Sequence, residues 1–262
     1  MKKENFTGIL EKEHLKFKDN KEVENYYEHK YKNGGYKGGY ILFGRNISKI
    51  YHKERQKSAL KFSNPQKSDI ILDAGCGRGN LSYMLSKKCH KVYAVDIAGN
   101  ALENKYKRIK NIHFKKMNIE ELNFQNNFFD KIVCVETLEH LIYPKKAIKE
   151  LRRVLKKEGI LVITYPTVNT TLAHKLQLKL KISKHFPISE HLTEWDYNSL
   201  IINFENEGFK VIKSEGLVFD FGYLGRIKTW SKLLSFFITD LSLKIRRFPS
   251  NSSFVSIVFK KI

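Results

Sequence analysis

An α/β fold built on a doubly wound, mainly parallel sheet is what this 262-residue sequence predicts, and three observations carry the prediction. Short apolar runs alternate with stretches of helical periodicity between residues 70 and 165, the pattern of strand-helix-strand units. The first run, Ile70-Ile71-Leu72, leads into a glycine turn, Asp73-Ala74-Gly75-Cys76-Gly77-Arg78-Gly79. The second, Lys91-Val92-Tyr93-Ala94-Val95-Asp96, ends in an acid nineteen residues after Gly77. The length suffices for one full core with embellishments, and nothing in the pattern calls for two.

Residues 1 to 69 are polar and aromatic and read as an N-terminal flap and helix. Tyr26-Tyr27-Glu28-His29-Lys30-Tyr31 and the glycine pairs Gly34-Gly35 and Gly38-Gly39 precede a helix expected from about Ile47 to Phe62. The domain proper is expected over 70–262. Its strands fall near 70–74, 91–96, 112–116, 130–136 and 160–165, and its helices near 80–88, 99–109 and 145–156. Ala147, Ile148, Leu151, Val154 and Leu155 carry the helical spacing of the last, with Gly159 expected as its C-terminal cap. Tyr197, Leu200, Ile201 and Phe204 define a further amphipathic helix ending at Gly208, and Phe209–Ser214 with Phe254–Lys260 should close the sheet as an antiparallel pair.

The glycine turn is a nucleotide-cofactor loop in type. Glycines at 75, 77 and 79 permit a tight turn and close approach of a ligand to the backbone. A pyrophosphate-binding loop would place its third glycine at position 80, where this chain has Asn80. Asp73, beside the turn, would repel phosphate and attract a cationic ammonium or sulfonium group. With these residues the chain resembles the class I S-adenosylmethionine-dependent methyltransferases, whose first motif, D-x-G-x-G-x-G after an apolar strand, is matched at Asp73, Gly75, Gly77 and Gly79. The resemblance implies a Rossmann-like seven-stranded sheet of order 3-2-1-4-5-7-6 with the last strand antiparallel. It implies S-adenosylmethionine as cofactor, with Asp73 toward the methionine end, Gly75, Cys76 and Gly77 in the turn, and Asp96 on the ribose hydroxyls. Asn118 stands where the family usually has an aspartate for the adenine amino group, and its side-chain carbonyl can accept the same hydrogen bond. Ile97 and Ile119 are candidate covers for the adenine faces, and equally ordinary core residues. Similar enzymes close their cofactor site with the segment before the first motif, which makes Tyr31, Tyr36 and Arg45 candidates for the cover.

The end of the fourth strand carries a second constellation. Val135-Glu136-Thr137-Leu138-Glu139-His140 places Glu136, Glu139 and His140 at positions i, i+3 and i+4, on one face wherever the chain is helical. His140 is the candidate general base for a hydroxyl acceptor, with Glu139 orienting or assisting it, because an imidazole titrates near neutrality; Glu136 is expected to line the cofactor site. The E-x-x-E-H pattern also resembles that of ubiquinone-biosynthesis O-methyltransferases and of small-RNA ribose 2′-O-methyltransferases. By that resemblance Glu136, Glu139 and His140, with His191 as a distant fourth ligand, form a candidate site for Mg²⁺ or Zn²⁺; the alternative is that they orient the loop without metal. The [DNS]-P-P-[YFW] motif of enzymes acting on exocyclic amino groups is absent, which favours a hydroxyl over a nitrogen.

Acceptor choice is expected to reside in two insertions, 166–195 and 216–250. In the second, Ile227, Trp230, Leu234, Ile238, Leu241 and Ile245 share one helical stripe. Such a helix, near 226–247, could roof an apolar pocket, contact a membrane surface peripherally, join two copies, or simply pack as core. The acceptor expected is thus small, hydrophobic or lipid-like; an RNA ribose methyltransferase and a non-methylating nucleotide-cofactor binder are the alternatives.

The net charge of +21 raises the question of nucleic acid. It is spread as +7 over 1–69, +8 over 70–165, −1 over 166–209 and +7 over 210–262, and comes from 39 Lys against 9 Arg. Phosphate and base-edge recognition leans on the arginine fork, so a nucleic-acid partner is not expected. Cys76, Cys89 and Cys134 form no paired framework, which fits a cytoplasmic setting, as does the absence of an apolar leader or spanning run.

Overall fold

The computed structural model describes residues 17–34, 41–42, 45–167, 190–219 and 249–262. Seven strands form its central sheet: β1 (Ile70–Ala74), β2 (Lys91–Asp96), β3 (Ile112–Lys116), β4 (Phe129–Val135), β5 (Leu155–Pro166), β6 (Phe209–Phe219) and β7 (Ser252–Lys261). Their spatial order is β3-β2-β1-β4-β5-β7-β6. β1 to β5 pair in parallel, while β7 runs antiparallel to both β5 and β6. The order that the family resemblance implies is thus the order found. A small ribbon, Ile41–Leu42 against Arg45–Asn46, stands apart from it.

Alternation along the strands divides the core into two layers. Leu72, Ile132, Leu161 and Ile163 face one side, where helix α5 (Pro144–Val154) contributes Ala147, Ile148, Leu151 and Val154, and α6 (Tyr197–Glu205) contributes Leu200 and Phe204. Ile71, Val92, Val133 and Val162 face the other, packed under Ala59 and Phe62 of α2 (Ile47–Ser63) and Leu81 and Leu85 of α3 (Asn80–Ser86). Each fully buried leucine or isoleucine contributes roughly 1.5–3 kcal/mol relative to exposure, so both faces of the parallel sheet are committed to core and the carboxyl edge is left for chemistry.

Two local expectations change. The helix expected over 99–109 is a single turn, α4 (Asn104–Lys107). The chain before it is occupied by a turn in which Ala98 N–H caps Asp96 and Ala101 N–H bonds Ala98 O. Gly159 is not a helix cap: α5 ends at Val154, and Leu155 is already extended and paired with Phe129. Pairing of a wholly buried leucine outweighs helical periodicity here. The surplus residues are taken up by a bulge in which Glu158 adopts φ +61° before Ile160 meets Lys131.

The principal element that periodicity did not announce is α1 (Asn20–Lys32), which lies across the carboxyl edge of the sheet. Lys116 Nζ binds Glu24 and Glu28 at 2.9 and 2.7 Å. Asn20 Nδ2 donates to Glu120 at 2.7 Å, Asn100 Nδ2 donates to Glu28 O at 2.9 Å, and Arg78 donates to Gly34 O. Such pairs are individually weak at a surface, but here they pin both ends of one helix.

Candidate active site

Beyond the carboxyl ends of β1 and β4, where the sheet order reverses, lies a cavity partly open to solvent. Gly75, Asp96, Ile97, Asn118 and Ile119 line one part, Glu136, Thr137, His140 and Leu141 another, and Asn20, Val23, Tyr27 and Tyr31 of α1 cover it. Of the residues singled out from sequence, the structure therefore brings Gly75, Asp96, Ile97, Asn118, Ile119, Glu136 and His140 to one space.

Backbone builds the first part. Gly75 and Cys76 both donate from their N–H groups to Val95 O at 2.9 Å, which folds the turn against β2. Gly75 has φ +79°, and a Cβ there would sit 2.3 Å from Thr137 Oγ1, so the turn requires glycine on both counts. Thr137 is fixed in turn by donation to Ala74 O and Val135 O. Gly77 donates to Asp96 Oδ2 at 2.9 Å and Ala98 to Asp96 Oδ1 at 3.0 Å. Each carboxylate oxygen keeps lone-pair capacity toward the cavity, as two vicinal hydroxyls require. Burial pushes the Asp96 carboxyl up to about 6, against the pull of those two N–H groups. Asn118 Oδ1 accepts from Glu120 N at 3.0 Å, which orients its amide, and Ile97 and Ile119 line the same part of the cavity. Tyr31 Oη lies 3.1 Å from where a Gly77 Cβ would be.

Asp73 and Cys76 stand behind this surface. Asp73 is 2% exposed, accepts from Ser82 Oγ at 2.5 Å, and is raised to about 7 by burial. Its carboxyl does not line the cavity, so any electrostatic influence on a bound cation acts through the turn. The Cys76 thiol is buried and pushed well up by burial and by Asp96 and Asp73, so it is a packed thiol without thiolate character.

Side chains build the second part. Glu136 adopts φ +50°, a strained conformation for a non-glycine residue, and turns the chain sharply out of β4. Its carboxylate accepts from Thr164 Oγ1 at 3.1 Å and pairs with Arg55 of α2 at 3.3 Å; burial raises its pKa and Arg55 opposes the rise. Glu139 lies in the 3₁₀ turn Leu138–His140, is 1% exposed, and has no hydrogen-bond partner for either oxygen among the described residues. Burial first and Glu136 second push its pKa well above the ordinary carboxylate value, which favours the neutral acid. His140 Nδ1 donates to Glu190 O at 2.9 Å. That assignment leaves Nε2 of the neutral ring as an acceptor, 3.8 Å from Glu139 Oε1. Burial lowers the His140 pKa and favours the neutral ring.

His191 is brought to the same place. One ligand atom each from Glu139, His140 and His191 lies within 4.8 Å of the others, and the His140 and His191 rings meet edge to face at 5.2 Å. The bonds Leu192 N–H and Thr193 N–H to Glu139 O, at 2.7 and 3.1 Å, clip this segment onto the 3₁₀ turn. Glu136, expected as a fourth member, is drawn away to Arg55 and Thr164.

Sequence reasoning missed Arg55, Thr137, Glu190 and the covering residues Asn20, Val23 and Tyr27. Only the last group had a local signal: Asp19 followed by Glu22 is a helix-start pattern, and Asp19 Oδ1 does accept from Glu22 N at 2.9 Å. Tyr36, the side chain of Arg45, the stripe from Ile227 to Ile245 and residues 168–189 lie outside the described residues.

A family described as a methyltransferase domain matches residues 72–163. The chain is 31% identical to the demethylmenaquinone methyltransferase of Staphylococcus saprophyticus over 157 residues, 58% of this chain and 67% of that protein. It is 32% identical to the ubiquinone biosynthesis O-methyltransferase of Haemophilus ducreyi over 111 residues, 39% of this chain and 46% of that protein. Several of the relatives it matches are covered over only about half to three fifths of their own length. Among solved structures, the magnesium protoporphyrin IX methyltransferase of Synechocystis PCC 6803 superposes with a TM-score of 0.61 at 17% identity, over 93% of this chain and all of that one, a likeness of fold alone. With the glycine turn, the strand order and these matches together, the chain belongs to the class I S-adenosylmethionine-dependent methyltransferases.

Proposed function

We propose that this protein transfers the methyl group of S-adenosylmethionine to a hydroxyl of a small, apolar or lipid-like acceptor. The observation that carries the reading is the placement of His140, with Nε2 unprotonated, on the same cavity wall as Glu136 and opposite the Gly75–Asp96 cradle. The cradle suits the cofactor in its donor set: Asp96 has lone pairs for ribose hydroxyls, Asn118 an amide for the adenine edge, and Gly75 and Gly77 allow close approach of the backbone. The cofactor supplies an electrophilic methyl group bonded to a sulfonium. What this chain adds is alignment and the fate of one proton: His140 Nε2 takes the proton of the acceptor hydroxyl while Nδ1 stays bonded to Glu190 O. Glu139 is buried beside the ring, its pKa pushed up by burial, and supports the imidazole from behind the cavity wall. A hydroxyl acceptor is favoured by the base; the relatives named for quinone biosynthesis favour a small molecule.

A second reading adds a divalent metal. It is favoured by one observation: the Glu139 carboxyl is buried, without a hydrogen-bond partner among the described residues, and within 4.8 Å of two imidazoles. Two histidines and a carboxylate suit Zn²⁺ better than Mg²⁺, and a bound cation would return Glu139 to its ionised form.

The test is transfer of labelled methyl from S-adenosylmethionine to a cell lysate separated into lipid, small-molecule, RNA and protein fractions. Label in the lipid or small-molecule fraction, lost by at least about 100-fold in His140→Ala with S-adenosylhomocysteine affinity kept within threefold, is expected. Label in RNA would replace the reading with the metal-dependent ribose methyltransferase, and no label, with cofactor binding intact, with the non-methylating binder. Chelation that leaves turnover unchanged, with no stoichiometric metal in the isolated protein, removes the metal.

A further inference from the structure

Glu190 touches both α1 and the 3₁₀ turn with its own polar atoms. Its carboxylate accepts from Tyr26 Oη at 2.9 Å and from Lys30 Nζ at 2.5 Å, both on α1. Its carbonyl receives His140 Nδ1 at 2.9 Å. Lys30 and Glu190 are mostly shielded, at 17% and 19% exposure, so the pair is a short, charge-assisted bond and not a loose surface contact. Behind Glu190 the chain is held by the core: Leu192 and Thr193 donate to Glu139 O, Tyr165 Oη donates to Thr193 O at 2.9 Å, and Trp195 N donates to Tyr165 Oη at 3.1 Å. In front of it, Tyr27 of α1 packs its ring edgewise on His140 at 6.0 Å. None of Lys30, Tyr26 and Glu190 lines the cavity.

We propose that Glu190 is a positioning residue: its side chain holds α1 over the cofactor cleft while its carbonyl sets the ring of His140, so that covering the cleft and orienting the base are one event. The proposal rests on the methyltransferase reading for its meaning, but the link itself is a property of the chain. A cofactor entering or leaving past Tyr27 and Tyr31 displaces α1, and α1 cannot move far without parting Lys30 and Tyr26 from Glu190. Once parted, the carbonyl of Glu190 keeps, among the described residues, the backbone clips at Leu192 and Thr193, and His140 loses both its Nδ1 partner's restraint and the ring of Tyr27. With α1 away, Nδ1 and Nε2 become alternative sites for the single ring proton, and only one of them presents a base to the cavity. The acceptor side is thus assembled only when the cofactor side is covered.

The experiment uses the full-length protein and the variants Glu190→Ala, Lys30→Met and their combination; Glu190→Ala keeps the backbone carbonyl. In the free protein, amide hydrogen exchange over residues 20–32 should rise at least tenfold in Glu190→Ala, no further in the double variant, with β1 and β4 unchanged. Ring nitrogen spectra should show His140 as the Nδ1–H tautomer in the parent and as a mixture in Glu190→Ala. Dissociation of S-adenosylhomocysteine should quicken about tenfold. Unchanged exchange in α1, or additive effects of the two substitutions, would overturn the link; faster exchange with an unaltered His140 spectrum would reduce Glu190 to an anchor and overturn its positioning role. If the parent protein binds no S-adenosylhomocysteine, the cofactor reading fails while exchange and ring spectra still decide the link.

Discussion

The side of the cleft proposed for the cofactor is made largely of backbone, and the side proposed for the acceptor of side chains. Gly75, Cys76, Gly77 and Ala98 all place N–H groups by hydrogen bonds that β1 and β2 impose. Across the cavity, Glu136, Glu139 and His140 depend on Arg55 from α2, Thr164 from β5, and Glu190 and His191 from far along the chain. A backbone site is specified by a few consecutive residues that turn correctly. A side-chain site is specified by whatever the fold later brings beside it, which is where members of one family can diverge in acceptor while sharing a cofactor.

The contrast breaks most sharply at the seam between the two sides. Gly75→Ala would set a Cβ 2.3 Å from Thr137 Oγ1 at a φ of +79°, and both Thr137 hydrogen-bond acceptors are main-chain, so the side chain has little room to yield. The expected cost is roughly 2–4 kcal/mol of stability, with a fall in S-adenosylhomocysteine affinity of at least about 100-fold. Calorimetric titration beside denaturant unfolding measures both. An alanine variant that binds as well as the parent would show the turn to be less constrained than its geometry states.

The same contrast explains how far the sequence could be read. The strands and the residues Gly75 and Asp96 were legible because each rests on a local pattern: apolar run, glycine turn, acid at a strand end; the strand order and the places of Ile97, Asn118 and Ile119 followed from the family resemblance that those patterns carry. His140 and Glu136 were legible as a motif, but their partners were not. Arg55 sits on a helix whose basic residues look alike in sequence, and only folding shows that it faces Glu136 while Lys53 and Lys57 do not pair there. Glu190 borders residues with no periodicity at all. Asp73 shows the converse limit: its place in the motif was plain, yet the structure turns it inward to Ser82.

A pH titration sharpens the backbone side. Asp96 is raised to about 6 in the free protein, chiefly by burial, and only its ionised form can accept from two hydroxyls while holding Gly77 and Ala98. Binding then requires loss of a proton below that value. The dissociation constant for S-adenosylhomocysteine should be flat from pH 7 to 8 and rise toward tenfold per unit as pH falls below about 6. Asp96→Asn should bind weakly at every pH, without that slope. A parent profile flat down to pH 5 would take ribose recognition away from Asp96.

The smallest expected change in binding, and the most diagnostic for the motif's acid, is in Asp73→Asn. Burial raises the Asp73 carboxyl to about 7, while an unfolded chain returns it to its ordinary value near 3.8. Between those values the folded protein holds the proton more tightly, so stability falls as pH climbs from about 4 to 7 and the loss is complete above. An asparagine suffers no such loss and can still accept from Ser82 Oγ. The variant's advantage over the parent should therefore be larger at pH 8 than at pH 5 by on the order of 2–3 kcal/mol, read by denaturant unfolding at the two values. Its affinity for S-adenosylmethionine should drop less than threefold if the carboxyl is purely an internal prop for the turn. A tenfold drop at pH 8 that vanishes at pH 5, with affinity for the product S-adenosylhomocysteine, which lacks the sulfonium, unaffected, would mean instead that the ionised acid reaches through the turn to the donor's positive charge, and the cofactor side would then depend on a buried side chain after all.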